Sequence, residues 1–276
     1  MIETLFATSL TIEQALTTLV SGFGIGLLSG VLGIGGGTLL VPLFRIGFAL
    51  SALQATATSL CAIVPISLAG CVTHIKQKTC IPVLGLTAGF GGACISPLGV
   101  KIAQSSPSWL IMLVAACIIG YSAISMLKGA LRKPSNGSLQ QKQDNFVDEE
   151  IIVTKRMLIK AALAGTIAGF LAGFVGVGGG FIMVPLFVSW VGVGVHRASG
   201  TSLLAIPILA IPGIIQHVIT GNALFGVALF VAITAIPGAI IGAKCMKRIP
   251  ERGLRIFFGI VLLILSGVLA VIEFVS

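Results

Sequence analysis

Long apolar runs alternate with short polar connections along the chain. The apolar runs cover 51–73, 81–100, 108–127, 199–216, 223–243 and 256–275. A helix of about 20 apolar residues crosses a bilayer, whereas a membrane-spanning strand shows alternating apolar and polar positions, which these runs lack. The pattern therefore predicts an all-α, polytopic transmembrane protein.

One stretch departs from this pattern. From Lys128 to Lys160 the chain is polar, contains Pro134 and Gly137, and holds four of the eight acidic residues. Such a composition is typical of a flexible linker. We therefore divide the chain into a first transmembrane repeat at 1–127, a polar linker at 128–160 and a second transmembrane repeat at 161–276.

Composition favours a membrane protein over a soluble one. Hydrophobic residues make up 56% of the 276 positions and charged residues 9%, whereas about a quarter of a soluble domain is charged. The net charge of +9 is attributed to basic loops that set membrane orientation, so no nucleic-acid partner is expected. No basic residue precedes Arg45, which argues against a signal peptide. The six cysteines form no C-x-x-C pair, so we expect buried thiols between helices.

A glycine-rich motif occurs twice. The stretch "GVLGIGGGTLLVPLF" returns 143 positions later as "GFVGVGGGFIMVPLF". The same offset aligns further residues without a gap: Gly22, Gly26 and Gly30 with Gly165, Gly169 and Gly173; Thr58-Ser59-Leu60 with Thr201-Ser202-Leu203; His74 with His217; and Lys101 with Lys244. The chain is therefore predicted to be a duplication, as in many secondary transporters whose substrate site lies between two repeats.

The distribution of basic residues favours inverted repeats. If each repeat had four full spans, the two membrane faces would carry nine and eight basic residues. If the segments 16–50 and 161–197 are instead hairpins that return to their own side, the faces carry fifteen and two. Because cytoplasmic loops are enriched in Lys and Arg, we expect inverted repeats, a cytoplasmic linker, and both termini outside.

The glycines of the motif differ in role from those before it. Gly22, Gly26 and Gly30 are spaced by four, which lets helices pack closely. Consecutive glycines destabilise a helix and permit positive φ, so the motif predicts a break at mid-membrane. A new helix at 38–44, with Thr38 as a cap and Pro42 near its start, would direct free N–H groups to that point and bind an anion. A tight kink between packed helices is the alternative. The glycines concerned are Gly33, Gly35, Gly36, Gly37, Gly176, Gly178, Gly179 and Gly180.

Neutral polar residues near the breaks are the other candidates for substrate binding. Apart from Glu273 near the end of the run 256–275, no Asp or Glu lies inside a predicted span, which suits an anion pathway and argues against a carboxylate proton relay. The hydroxyl candidates are Thr58, Ser59, Thr201 and Ser202, with Thr56 and Ser199 beside them. The alternative is that these hydroxyls bond to their own helix backbone.

Four further residues are candidates for gating or proton coupling: His74, His217, Gln216 and Arg197. Histidine titrates near neutral pH and could couple protons to transport. Both repeat-related histidines lie near span ends, where a solvated histidine needs no special role. Arg197 could attract anions at the cytoplasmic mouth or merely extend to the membrane surface.

Enzymatic and metal-dependent functions find no support in the sequence. The three histidines are scattered and no acidic residue clusters with them, so no metal site is predicted. Neither G-x-S-x-G nor H-E-x-x-H occurs, and no catalytic residue or cofactor is expected.

The paired motif "GIGGGTLLVPLF" and "GVGGGFIMVPLF" resembles the TauE/SafE family of membrane transporters, over nearly the whole chain outside the linker. The resemblance implies a secondary transporter in the plasma (inner) membrane for small sulfur-containing or carboxylic anions such as sulfite or organosulfonates. The chain departs from internal symmetry where Thr38 aligns with Phe181 and Gln54 with Arg197.

Two questions stay open at this stage. A non-transporting membrane scaffold, an assembly factor or a membrane enzyme is the alternative to a transporter. The expected partners are a small anionic substrate and the lipid bilayer, and the sequence leaves open whether the chain forms a homo-oligomer.

Overall fold

The computed structural model describes residues 12–131, 153–245 and 251–275. Most of these residues are helical, and there is no strand among them. The first repeat contains α1 (Ile12–Leu32), α2 (Gly37–Pro42), the π-helical turn π1 (Leu43–Gly47), α3 (Ala52–Lys76), α4 (Pro82–Gln104) and α5 (Ser108–Leu131). The second contains α6 (Lys155–Val175), α7 (Gly180–Leu186), π2 (Phe187–Val191), α8 (Val195–Ile219), α9 (Phe225–Cys245) and α10 (Glu251–Val275).

Six of these helices are long and apolar enough to cross a membrane. They are α3, α4, the Ser108–Ser125 part of α5, α6, α8 and α9. The predicted all-α membrane protein is therefore confirmed. The predicted run 256–275 lies in α10, where several side chains are outside the described residues. Helices extend into both ends of the predicted linker 128–160, because α5 ends at Leu131 and α6 begins at Lys155. Residues 132–152 of the linker lie outside the described ranges.

Each repeat begins with a helix that is interrupted and then resumes. In both repeats a short α-helix passes directly into a π-helical turn after a proline, Pro42 in the first and Pro185 in the second. Proline lacks the N–H group that would continue the α-helical bonding pattern, so the register changes there. The predicted helix at 38–44 therefore exists, but it begins at Gly37 and extends, through π1, to Gly47.

Small residues bring helices of different repeats together. Along α1, Gly22, Gly26 and Gly30 contact Thr234, Ala235 and Ala239 of α9, in ascending order on both helices. Along α6, Gly165, Gly169 and Gly173 contact Ala88, Gly92 and Ser96 of α4 in the same way. A β-carbon at any of these six glycines would overlap an atom of the neighbouring helix. Glycine is therefore required by close, parallel packing, as in other membrane helix pairs.

The helices α3 and α8 occupy equivalent places in the two repeats and run antiparallel to each other. Gly70 lies against Leu203, and Gly213 lies against Leu60, so the numbering rises along one helix as it falls along the other. The last pair, α5 and α10, is also antiparallel, with Ser266 donating a hydrogen bond of 2.8 Å to the carbonyl of Ala116. Each of these contacts has an equivalent with the two halves of the chain exchanged.

The six cysteines are free. Cys71 is buried in α3, and Cys80 lies between α3 and α4. A hydrogen bond with Cys71, together with burial, raises the pKa of the Cys80 thiol, so it stays neutral. The expectation of buried thiols holds for Cys71 alone, because Cys61, Cys80 and Cys245 are partly exposed and Cys94 and Cys117 are exposed.

Candidate functional site

The two glycine motifs form sharp turns between helices. Six of their glycines have φ between +68° and +78°: Gly33, Gly35 and Gly36, and Gly176, Gly178 and Gly179. Residues with side chains rarely adopt this conformation. Gly37 and Gly180 differ, because each is the first residue of a short helix. Thr38 does not cap that helix as expected: the N-cap is Gly36, in a left-handed conformation with no side-chain hydrogen bond.

The two turns contact each other between the repeats. A β-carbon at Gly37 would overlap the carbonyl oxygen of Val177, and one at Gly180 would lie 2.5 Å from the carbonyl oxygen of Ile34. Two side chains from the middle of α3 and α8 flank this contact. Ile206 Cδ1 lies 2.8 Å from the β-position of Gly35, and Ile63 Cδ1 lies 2.9 Å from that of Gly178. The motifs thus lie side by side, halfway along the central helices.

Hydroxyl groups from each repeat bind the backbone of the other repeat at these turns. Ser59 donates a hydrogen bond of 2.8 Å to the carbonyl of Gly176, and Ser202 donates one of 2.6 Å to that of Gly33. Ser199 and Thr56 bind the preceding carbonyls, of Leu32 at 3.0 Å and of Val175 at 3.3 Å. The last carbonyls of a helix have no partner within it. These side chains therefore satisfy the ends of α1 and α6.

Ser59 and Ser202 lie at the turns, whereas Thr58 and Thr201 bind backbone N–H groups elsewhere. Thr201 Oγ1 accepts a hydrogen bond of 3.0 Å from the N–H of Ile81, just before α4. Thr58 Oγ1 accepts one of 3.3 Å from the N–H of Leu224, just before α9. Thr201 also bonds back to Arg197 in its own helix at 2.6 Å. Both threonines hold the starts of neighbouring helices.

The repeat-related histidines are buried, so the expectation of solvated histidines at span ends is wrong. His74 Nε2 lies 3.1 Å from the carbonyl oxygen of Gly30, and its Nδ1 lies 2.8 Å from Thr79 Oγ1. Both ring nitrogens of His217 are buried without a hydrogen-bond partner. Of the other two candidates, Gln216 precedes His217 and Arg197 lies in the first turn of α8; both are partly exposed.

A small recess adjoins the first glycine turn. Its volume is about 10 Å³, enough for about one water molecule, and its surface is mostly apolar. The lining contains two hydroxyl residues, Ser29 and Thr38, beside Gly36. Both side chains are almost fully buried, and Ser29 Oγ has no hydrogen-bond partner. The corresponding positions of the second repeat, Ala172 and Phe181, are apolar. The two hydroxyl residues at this recess therefore have no hydroxyl counterpart in the second repeat.

Two buried serines near the breaks escaped the sequence analysis. Ser29 and Ser96 both have a buried oxygen without a partner. At the repeat offset they align with Ala172 and Ala239. This alignment could have revealed both serines, because a hydroxyl residue that aligns with alanine in the other repeat breaks the internal symmetry of an apolar helix. Among the described residues no group of histidine, cysteine or acidic side chains could hold a metal ion.

Comparisons with known proteins agree with this architecture. Residues 18–269 match the model of the family described as sulfite exporter TauE/SafE. The chain is 26% identical over 234 residues to the probable membrane transporter protein YdhB of Bacillus subtilis, covering 84% of this chain and 91% of that protein. A probable membrane transporter protein of Methanocaldococcus jannaschii is 25% identical over 264 residues, covering 88% and 91%.

A more distant relative is eukaryotic. Sulfite exporter TauE/SafE family protein 3 of Arabidopsis thaliana is 29% identical over 145 residues, covering 51% of this chain and 28% of that protein. No solved structure matches this chain.

Proposed function

Because the chain belongs to the sulfite exporter TauE/SafE family of membrane transporters, we propose that it is a secondary transporter for small sulfur-containing or carboxylic anions, with sulfite and organosulfonates as the first substrates to test. The substrate pathway would run between the two glycine turns.

The observation that carries this proposal is the contact between the two turns. Gly37 meets the backbone of Val177, and Gly180 meets that of Ile34, at the level of Ile63 and Ile206 in the central helices. Non-helical backbone at membrane depth leaves polar groups unpaired and is tolerated only inside protein or beside a polar cavity. Paired helix breaks at the interface of two repeats are the usual construction of a transporter substrate site.

Charge supports an anion as the substrate. None of the eight acidic residues occurs in α3, α4, α6, α8 or α9, so the central helices carry no fixed negative charge that would repel it. Two hydroxyl residues, Ser29 and Thr38, adjoin the recess beside the first turn, and Ser29 Oγ has no hydrogen-bond partner. These neutral donors could bind an anion without retaining it as tightly as a buried cation would.

The inverted arrangement is part of the proposal. The antiparallel course of α3 and α8 supports it, because equivalent helices of inverted repeats cross a membrane in opposite directions. Gly30 near the end of α1 contacts both Ala239 of α9 and His74 at the end of α3, which supports a hairpin that returns the chain before α3. With fifteen basic residues on one side, the linker would be cytoplasmic, both termini outside, and the protein in the inner membrane.

The transport test uses purified protein in liposomes loaded with sulfite, thiosulfate or sulfoacetate. Loaded liposomes without protein give the background. Gly36→Leu and Gly179→Leu should reduce flux strongly, because both glycines have positive φ at the turns. Gly24→Leu is the matched control, since no heavy atom lies within 4 Å of the β-position of Gly24. Folding of each variant is checked by size-exclusion chromatography. Folded Gly36→Leu and Gly179→Leu variants with unchanged flux would overturn the site, and a wild type without flux for any anion would overturn the function.

The orientation has its own test. A cysteine-free variant with Ser138→Cys carries one label site in the linker. A membrane-impermeant maleimide applied to intact cells should leave this cysteine unlabelled and should label it after permeabilisation. Labelling in intact cells would reject the cytoplasmic linker.

A further inference from the structure

His74 and His217 occupy equivalent positions but differ in their surroundings. Both side chains are fully buried. His74 has a partner for each ring nitrogen, and His217 has none. An unpaired buried polar group is destabilising unless another interaction compensates for it. The asymmetry therefore needs a physical explanation.

The partners of His74 indicate a structural role. Gly30 lies in the last turn of α1, where carbonyl groups lack partners within the helix. A carbonyl can only accept a hydrogen bond, so His74 Nε2 donates to Gly30 over 3.1 Å. Nδ1 lies 2.8 Å from the hydroxyl of Thr79, which also donates a hydrogen bond of 3.1 Å to the backbone carbonyl of His74. With both ring nitrogens engaged, His74 links the end of α3 to the end of α1.

The surroundings of His217 contain a second unpaired group. Ser96 Oγ lies 2.6 Å from the β-position of Gly213, one helical turn before His217 on the same face of α8. The backbone of Ser96 contacts Gly173, which is the counterpart of Gly30 at the end of α6. Ser96 Oγ and both nitrogens of His217 are buried and unpartnered. In the first repeat the position of Ser96 is taken by Ala239 of α9, so this hydroxyl has no equivalent beside His74.

Charge balance determines what such a site can accept. A protonated His217 would be a buried cation, and an unpaired buried charge is strongly unfavourable. No acidic residue occurs on α3, α4, α6, α7 or α8, so no fixed carboxylate of these helices could neutralise it. The ionisable groups of the elements packed on α8 are Cys61, Cys71, His74 and Lys76 on α3, Cys94 and Lys101 on α4, and Lys155, Arg156 and Lys160 on α6; α7 and π2 carry none.

From this geometry we propose that His217 and Ser96 form a joint binding site for a proton and a small anion, and that His74 is a structural residue. The proposal rests on the proposed transport function and adds its coupling ion. The proton binds a ring nitrogen of His217, and the anion oxygens accept hydrogen bonds from the imidazolium and from Ser96. Each ligand makes the other favourable, because the anion neutralises the cation and the cation holds the anion. Proton and anion would then be transported together, in the same direction.

The experiment counts protons taken up with the anion. Calorimetric titration of the detergent-solubilised protein with thiosulfate, in two buffers of different ionisation enthalpy at the same pH, gives the number of protons bound per anion. Thiosulfate serves because it carries no proton near neutral pH. We expect proton uptake of about one per anion in the wild type, and anion affinity about tenfold weaker or worse in His217→Gln and Ser96→Ala, since each loses a hydrogen bond to a charged group. His217→Gln should also take up no proton.

Two matched variants make the result specific. His74→Gln, in its folded fraction, should keep both proton uptake and affinity, and His196→Gln at the start of α8 should keep them too. A second measurement uses liposomes that contain a pH-sensitive dye. External thiosulfate should acidify the interior with the wild type, His74→Gln and His196→Gln, and not with His217→Gln. Ser96→Ala keeps the proposal testable if His217→Gln does not fold.

The outcomes separate the two proposals. Thiosulfate binding or flux without proton uptake in the wild type would overturn this site and leave the transport function standing. Unchanged proton uptake in His217→Gln would also overturn it. An absence of binding and flux for every anion tested would overturn the transport function itself, and this site with it.

Discussion

Gly37 packs directly on the backbone carbonyl of Val177, with no room for a β-carbon between them. Gly180 repeats the contact on the carbonyl of Ile34. The first residue of each short helix therefore lies against the turn of the other repeat. This reciprocal contact joins the two repeats at their breaks, and it explains why a glycine follows the positive-φ glycines in both motifs.

Gly37→Ala should destabilise the protein. The added methyl group overlaps backbone that cannot move without displacing the second turn, and overpacking of this kind costs about 1–3 kcal/mol. Thermal unfolding in detergent measures the effect. Gly24→Ala is the control, since its β-position is open and alanine favours the helix. Equal unfolding midpoints for the two variants would contradict the contact.

Ser59→Ala and Ser202→Ala should each lower the free energy of unfolding by about 1–3 kcal/mol, because each leaves a buried carbonyl without its partner. The carbonyls concerned belong to Gly176 and Gly33. Ser189→Ala is the matched control: its hydroxyl is exposed and bonds within its own helix, to Pro185, at 2.7 Å. A loss of stability in Ser189→Ala as large as in the other two would show that the hydrogen bonds between repeats contribute no more to the free energy of unfolding than a bond within one helical segment.

His74→Leu and His217→Leu should differ in stability although the exchange is the same. His74→Leu removes a bond to the carbonyl of Gly30 and leaves that oxygen unpaired, which lowers stability by about 1–3 kcal/mol. His217→Leu removes a side chain that has no partner, so stability should stay equal or rise. The comparison is made by thermal unfolding at one pH, and similar losses in both variants would refute the distinction between them.

Thr38→Phe should reduce anion flux on the order of tenfold while the protein remains folded. The change introduces the residue found at Phe181 of the second repeat and fills the recess beside Ser29 and Gly36. A substrate displaced by the larger side chain would bind in a less favourable position, which lowers the transport rate. Flux into liposomes measures it, with Thr87→Phe as control, because Thr87 lies outside the recess and bonds only to Val83 of its own helix. Normal flux in Thr38→Phe would exclude the recess from the pathway.

Features that depend on local chemistry were readable in the sequence. Five of the six predicted apolar runs match long apolar helices to within four residues, since bilayer thickness sets their length. The sixth long apolar helix, α6, was not among the predicted runs. The glycine clusters predicted helix breaks, because consecutive residues without a side chain favour positive φ. The cap of the short helix was misjudged: Gly36 ends the turn in a left-handed conformation, and a threonine two positions later cannot reach the same place.

The roles of individual polar side chains depended on contacts across the repeats. Thr58 and Ser59 are adjacent in sequence, yet one binds the start of α9 and the other the end of α6. His74 and His217 stand in matching sequence contexts, yet only the first has partners. Such differences arise from helix packing over more than a hundred residues of separation, which no local pattern encodes.

Membrane class, the repeated glycine motif and family membership thus follow from residue order alone, because hydropathy, glycine spacing and motif sequence are properties of the chain itself. The meeting of the two turns, the carbonyls that Ser59 and Ser202 satisfy, and the unpaired state of His217 arise only when the helices pack. A hydrogen bond needs two atoms about 3 Å apart, and folding sets that distance between residues far apart in the chain.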